Sequence, residues 1–418
     1  METKLSLKGT RIMKPLPECD EAPPETEPLR VLLISAVGEL GGAERSLCEL
    51  LKALPRRRIE PHVCAPPDST LARLLEAARV PVHEVPLRSF RRSAHPRVLY
   101  GQVRALWRGA GQIAEICRAQ GIQLLHANTN SAAFVAWEAA RSTGLPFIWH
   151  CRDLTRLYVI ARILSAGAAA VVAISGAVEQ QLLQEGVNPE KIRRIDNGID
   201  LEPFLPSALH AAVRARVRAN LGIEVRRPVL LSAGAYVPWK RHELFLETLV
   251  SVRRRLPSAV GLLAGSDKFG ENDAYVSSLR ARARQLSLGE DALKVLSERE
   301  DIPELMAAAD VFVSCSEHEP FGRVLAEAGA AGLPVVSTRS GGKAEIIEDN
   351  VTGILAGQGD VEALAAACTR LLADPGLCRQ MGGAARERVK ALFDVKRTAG
   401  QLAALYESLL KPQAAARV

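Results

Sequence analysis

From Arg30 onward the chain alternates short runs of Leu, Val and Ile with longer stretches whose apolar residues recur at helical spacing. The short runs predict strands over 30–36, 60–65, 122–126, 146–150 and 169–174. The stretches between them predict helices over 43–54, 70–79, 98–120, 129–143 and 175–186. Apolar runs without polar alternation suit strands buried on both faces, and helices inserted between them supply the crossovers of a parallel sheet. The pattern falters after Asn197-Gly198-Ile199-Asp200, in a loop carrying Pro203 and Pro206. A charged helix over 208–221 then leads to Arg226-Arg227-Pro228, and a second series begins, with strands over 229–233, 259–264, 293–296, 310–314 and 334–337. A last helix is expected over 394–410, after Asp394.

This organisation implies an α/β protein of two domains. A chain of 418 residues exceeds the roughly 250–300 at which single cores stop growing. Residues 1–28 hold Pro15, Pro17, Pro23, Pro24 and Pro28 among acidic and small polar residues without periodicity, and read as a disordered arm. The expected division is 29–205 for the N-terminal domain, joined by the helical segment 394–418, and 206–393 for the C-terminal domain. Hydrophobic residues make up 48% of the chain but aromatic ones only 4%, so both cores must be built mainly from Leu, Val, Ile and Ala. In open parallel sheets ligands collect at the carboxyl ends of the strands, so two such domains would place two substrates face to face across a cleft.

The net charge of +7, carried mainly by arginine, calls for an anionic partner such as a nucleotide or a phospholipid surface. Arg88, Arg91, Arg92 and Arg97 form the densest cluster and Arg56, Arg57 and Arg58 another. Either is a solvated surface or a cationic face toward an anionic membrane. No nucleic-acid motif accompanies them. The eight cysteines, Cys19, Cys48, Cys64, Cys117, Cys151, Cys315, Cys368 and Cys378, lack Cys-x-x-Cys or His/Cys metal spacing and read as reduced apolar residues of a cytosolic protein. No signal-peptide core precedes the fold, and no apolar run approaches the ~18 residues of a spanning helix. The expectation is a cytoplasmic protein, in soluble or peripheral form at the inner face of the plasma membrane.

Candidate chemistry sits where strands end. Glu319-Pro-Phe-Gly-Arg-Val-Leu-Ala-Glu327 places two carboxylates around a glycine at a strand-to-helix turn. Amides at a helix start lack internal partners and carry the positive end of the helix dipole, which suits a diphosphate around Gly322 to Leu325. Glu327, one helical turn further in, is placed to accept hydrogen bonds from vicinal ribose hydroxyls. Glu319 stays on the loop. Ser340-Gly341-Gly342-Lys343-Ala344-Glu345 repeats the glycine turn after strand 334–337. Lys240 follows Gly234-Ala235-Tyr236-Val237-Pro238-Trp239, and Gly41-Gly42-Ala43-Glu44 opens a helix after strand 30–36. His150-Cys151-Arg152-Asp153 ends another strand, where Arg152 and Asp153 either pair or face a ligand. Ser175 reads as a helix N-cap. Ordinary turns and solvated charges would account for each of these singly.

In their order and spacing, Gly41-Gly42-Ala43-Glu44, Asn197-Gly198-Ile199-Asp200, the Glu319-x7-Glu327 element and Gly341-Gly342-x-x-Glu345 resemble the retaining glycosyltransferases of GT-B architecture, family 4, over roughly residues 30 to 410. The resemblance implies two Rossmann-like, doubly wound domains facing a cleft, with the last helix returning to the N-terminal domain. It carries donor binding onto Gly42, Lys240, Arg241, Glu319, Phe321, Gly322, Arg323, Val324, Glu327, Gly341 and Gly342, and catalytic roles onto His150, Glu319 and Lys240. It departs at Ala235, where the family commonly has a phosphate-binding arginine. Arg241 or Arg323 would have to substitute.

The implied activity is hexosyl transfer from a nucleotide-diphosphate sugar to a hydroxyl of a glycan or lipid-linked acceptor, with retention, in cell-envelope or exopolysaccharide biosynthesis. Without Asp-x-Asp or a metal-ligand cluster, the expectation is metal-independent transfer with no cofactor. Same-face attack is then expected, the leaving phosphate taking the acceptor proton while His150 and Glu319 orient the sugar and Lys240 offsets the leaving charge. The alternatives are a nucleotide-sugar epimerase of the same architecture, or an inactive glycan-binding scaffold.

Overall fold

The computed structural model describes residues 27–88, 95–204, 210–267, 272–297 and 299–410. The arm expected over 1–28 therefore lies outside the described residues except at 27 and 28. Contacts divide the chain into two units, changing over at Gly198/Ile199 and again at Asp394/Val395. The boundary expected at 205/206 falls on residues that are not described.

The first unit runs β1 (Leu29–Ile34), α1 (Gly42–Ala53), β2 (Ile59–Ala65), α2 (Thr70–Ala77), β3 (Val82–Glu84), α3 (Pro96–Gln120), β4 (Leu124–Ala127), α4 (Asn130–Thr143), β5 (Phe147–Cys151), α5 (Val159–Gly167), β6 (Ala170–Ala173), α6 (Gly176–Gln184) and β7 (Ile192–Arg194). Its seven strands are all parallel, in the order β3-β2-β1-β4-β5-β6-β7. Local chemistry sets the helix ends. Pro96 lies in the first turn of α3 and Gly121, in the left-handed region, ends it. Thr129 caps α4 through the amide of Ala132, and Ser175 caps α6 through that of Val178 at 3.2 Å, as its position predicted.

The second unit runs α7 (His210–Asn220), β8 (Val229–Ala233), α8 (His242–Arg255), β9 (Val260–Ala264), α9 (Asp273–Gln285), β10 (Leu293–Leu296), α10 (Ile302–Ala308), β11 (Val311–Ser314), α11 (Arg323–Ala330), β12 (Val335–Thr338), α12 (Lys343–Ile346), β13 (Gly353–Ala356), α13 (Val361–Ala373) and α14 (Pro375–Leu392). Its six strands are also parallel, ordered β10-β9-β8-β11-β12-β13. Central strands such as β1, β6, β8 and β11 are buried on both faces, which explains their continuous apolar runs. Three strands escaped the pattern. β3 and β7 are three-residue edge strands with charged positions, too short to display a period, and β13 is a four-residue edge strand that opens on a glycine.

The last helix, α15 (Val395–Leu410), belongs to the first unit. Its Ala399, Leu402, Ala403 and Tyr406 share one core with Leu47, Leu50 and Leu51 of α1 and with β1 and β2. Arg58 clamps Glu407 with two hydrogen bonds of 2.6 and 2.7 Å. Each fully buried aliphatic side chain here stabilises the docking by ~1.5–3 kcal/mol. In both sheets the strand order reverses beside the first strand, between β1 and β4 and between β8 and β11, and these are the crevice positions of doubly wound folds.

Candidate active site

In the second unit, Lys240 and Glu319 leave the carboxyl ends of the adjacent strands β8 and β11 and meet. Lys240 stands on a 3-10 turn, Pro238–Lys240, and its ammonium donates to Glu319 Oε1 while lying 4.3 Å from the centre of the Trp239 ring. Ser316 Oγ donates to the same carboxylate oxygen at 2.9 Å. Glu319 is 5% exposed, so this is a buried ion pair held by an added hydroxyl. Below it lies Lys343, wholly buried, whose ammonium donates to the carbonyls of Ser316 and Thr338 and to Thr338 Oγ1 at 2.5, 3.1 and 2.9 Å. Burial lowers the Lys343 pKa to about 8, against the raising influence of Glu319. The sequence marked Lys343 only as a spacer in the glycine turn. Its charge ties the ends of β11 and β12 beneath Glu319.

The turn itself is packed against the loop it follows. Gly341, at φ 52°, has the Glu319 carbonyl where a Cβ would stand, and the Gly342 amide donates to that carbonyl at 2.9 Å. A glycine pair permits that backbone approach. The Gly342 amide is therefore engaged inside the protein, which shortens the set of amides that this turn was expected to offer a ligand. A similar correction applies at α11. Gly322 caps the helix at φ 104°, but its carbonyl accepts from Leu325 and Ala326, so the expected set of unpaired amides from Gly322 to Leu325 is shortened.

Glu327 and Arg323 form an i,i+4 pair at 3.0 Å on α11, both largely covered, with Val324 half-buried on the first turn. Phe321 is buried, its ring edge-on to Phe393 at 5.4 Å, so its side chain belongs to the core. Arg241 bonds both Glu243 and Glu317. Both arginines suggested as replacements for the cation missing at Ala235 are thus already paired with carboxylates. The Ala235 carbonyl accepts from the buried His242 at 3.0 Å.

The first unit gathers a different set. His150, 1% exposed near the end of β5, has its Nδ1 3.0 Å from Nε2 of His126 on β4, and His126 Nδ1 lies 2.5 Å from the Tyr406 hydroxyl of α15. Arg152 Nη2 reaches His150 Nδ1 at 3.4 Å, while Nε and Nη1 donate to Asn128 and Asn197. Burial, then the Arg152 charge, then His126 hold the His150 pKa well below its ordinary value. Arg152 and Asp153 diverge to separate partners, Asp153 accepting from Asn130 and from the Thr155 amide. Asn197 also donates to Ser46, which gives the Asn-Gly-Ile-Asp motif a structural role. Gly42 is exposed at the start of α1, and Glu44 turns back to the Gly41 amide at 3.1 Å. Burial raises the Glu44 carboxyl pKa, opposed by backbone amides and by Arg152. Nothing in local sequence could reveal His126 and Tyr406 as partners, since they stand 280 residues apart.

Among the described residues no group of three or more His, Cys, Asp or Glu side chains could hold a metal ion, and no helix is long and apolar enough to cross a membrane. The seven described cysteines are free. Of the arginine clusters, Arg58 is tied to Glu407 and Arg56 to the Leu51 carbonyl, Arg88 and Arg97 are exposed, and Arg91 and Arg92 lie outside the described residues.

Residues 213–388 match the family Glycosyl transferases group 1, and residues 40–203 match Glycosyltransferase Family 4. The D-inositol 3-phosphate glycosyltransferase of Xylanimonas cellulosilytica is 28% identical over 377 residues, 84% of this chain and 87% of that protein. Bacillus subtilis YtcC is 32% identical over 250 residues, 58% of this chain and 61% of its own length. Among solved structures, Anabaena HepE in complex with UDP-glucose is 28% identical with a TM-score of 0.77, covering 91% of this chain and all of HepE. Two parallel Rossmann-like sheets, the ordered motifs at their strand ends and these matches agree: the chain belongs to the group 1 glycosyltransferases of GT-B fold.

Proposed function

We propose that this protein transfers a hexosyl group from a nucleotide-diphosphate sugar to a hydroxyl acceptor, with retention and without a metal ion. The observation that carries the proposal is the buried Lys240–Glu319 pair at the β8/β11 strand ends, followed directly by the α11 turn with Glu327. HepE, a relative by sequence as well as fold, is described with UDP-glucose, which supports a nucleotide-sugar donor. In this reading α11 receives the nucleotide, Glu327 exchanges Arg323 for the ribose hydroxyls, and the released Arg323 faces the diphosphate in place of the arginine absent at Ala235. Lys240 meets the charge that develops on the leaving phosphate, and Glu319 orients the sugar. In the other unit, His150 offers a neutral ring N–H to a sugar or acceptor hydroxyl. No covalent nucleophile is needed, because the leaving phosphate takes the acceptor proton. A glycan or lipid-linked acceptor in envelope or exopolysaccharide synthesis, reached from the cytoplasmic side, completes the proposal.

The test is a thermal-shift screen of UDP-, GDP- and ADP-sugars on wild type and Glu327→Ala. A donor at ~100 times its dissociation constant adds about 2.7 kcal/mol, or roughly 5–10 °C for a unit of this size. One nucleotide class should give that shift in wild type and lose most of it in the variant. No shift with any donor, or an equal shift in both proteins, refutes the site. Binding without transfer to any acceptor would favour the inactive glycan-binding reading, which Ala235 supports.

A further inference from the structure

The rings of His126 and His150 form a chain whose proton positions are set by one group that cannot change its role. A guanidinium only donates, so the contact from Arg152 Nη2 requires a lone pair on His150 Nδ1. The same nitrogen faces His126 Nε2 at 3.0 Å, so His126 must donate there through an Nε2–H. A neutral His126 then has its lone pair on Nδ1, where the Tyr406 hydroxyl donates at 2.5 Å. The remaining ring proton of His150 stands on Nε2, which is buried and has no hydrogen-bond partner among the described residues.

We propose that Arg152 is a positioning residue that, with His126, locks His150 in the neutral Nε2–H tautomer, so that it presents a hydrogen-bond donor to a ligand oxygen. The surroundings also keep both rings uncharged, through burial first and the Arg152 charge second. The guanidinium of Arg152 thus sets the hydrogen-bonding character of the side chain two positions before it, and the Tyr406 hydroxyl follows. That the donor serves a sugar or acceptor hydroxyl rests on the proposed function. The tautomer lock itself does not.

The experiment is NMR of protein labelled with 15N-histidine, the His150 signals being assigned by their loss in His150→Gln. Wild type should show a protonated Nε2 and a bare Nδ1. In Arg152→Met, His150 Nδ1 loses the partner that can only donate, and the His150 ratio should move about 5-fold toward Nδ1–H, the worth of one ordinary hydrogen bond. Tyr406→Phe, by contrast, removes a hydroxyl able to donate or accept and should leave Nε2 the protonated nitrogen. A wild-type His150 protonated on Nδ1, an unchanged ratio in Arg152→Met, or a switch to Nδ1–H in Tyr406→Phe would each overturn the proposal. No sugar donor enters the measurement, so its failure and that of the donor screen are separate results.

Discussion

The Lys240–Glu319 pair makes the sharpest energetic demand on the second unit. Lys240→Met leaves a 5%-exposed carboxylate with the Ser316 hydroxyl on one oxygen and the buried Lys343 beneath. Removing one partner of a buried pair costs ~3–5 kcal/mol, and a charge-assisted hydrogen bond alone accounts for ~1.5–3. Because Lys343 remains as a nearby cation, about 2–3 kcal/mol is the expected loss. Glu319→Gln keeps the shape and the Ser316 contact and leaves Lys240, whose side chain is 13% exposed, over the Trp239 ring, so about 1–2 kcal/mol is expected. The double variant leaves neither member of this pair facing a lost partner and should lose only about 1–2 kcal/mol, giving a coupling of about 2 kcal/mol. Urea unfolding followed by tryptophan emission reads this out. Trp239 is the one tryptophan between residues 199 and 394, whereas Trp107, Trp137 and Trp149 report on the other unit. Costs that add to within ~0.5 kcal/mol would show that the two side chains are not coupled and would refute the geometry on which the site is built.

Two further outcomes test the scaffold around the site. The pKa of His126, lowered by burial to about 3, lies below its unfolded value of 6.5, so the unfolded chain binds the proton first as pH falls. Stability should be complete above pH 6.5 and decline toward pH 3, by roughly 4 kcal/mol from this group at ~1.4 kcal/mol per pH unit. Acid unfolding curves of His126→Gln should be correspondingly shallower, and parallel curves would contradict the assignment. Gly198→Ala would place a Cβ 2.5 Å from the Val395 Cα, a backbone atom with nowhere to move, and should cost about 1–3 kcal/mol. A melting temperature equal to wild type would show that the close approach does not exist.

The apolar periodicity placed the strands other than β3, β7 and β13, and the helices α1 to α4, α6, α7 and α15, within a few residues, because a parallel sheet covered by helices imposes its two periods on the sequence over many turns. β8 and β10 coincide with their predicted ranges, whereas β3 and β7 escaped for want of length and β13, which opens on a glycine, escaped as well. The ordered glycine and glutamate motifs likewise exposed the family, and the strand ends where they sit are where crevice residues belong in such a fold. The electrostatics was not legible. Glu319 and Lys240 announced themselves by position, but Lys343 read as a spacer, and Arg241 and Arg323 looked like available cations until Glu243, Glu317 and Glu327 were seen beside them. The histidine chain required α15 to pack across α1, which brings Tyr406 to a ring 280 positions earlier. Backbone patterns are local and repeat along the chain, so one dimension records them. The protonation and partners of a side chain depend on which distant groups share its dehydrated surroundings, and only the folded packing brings those groups together.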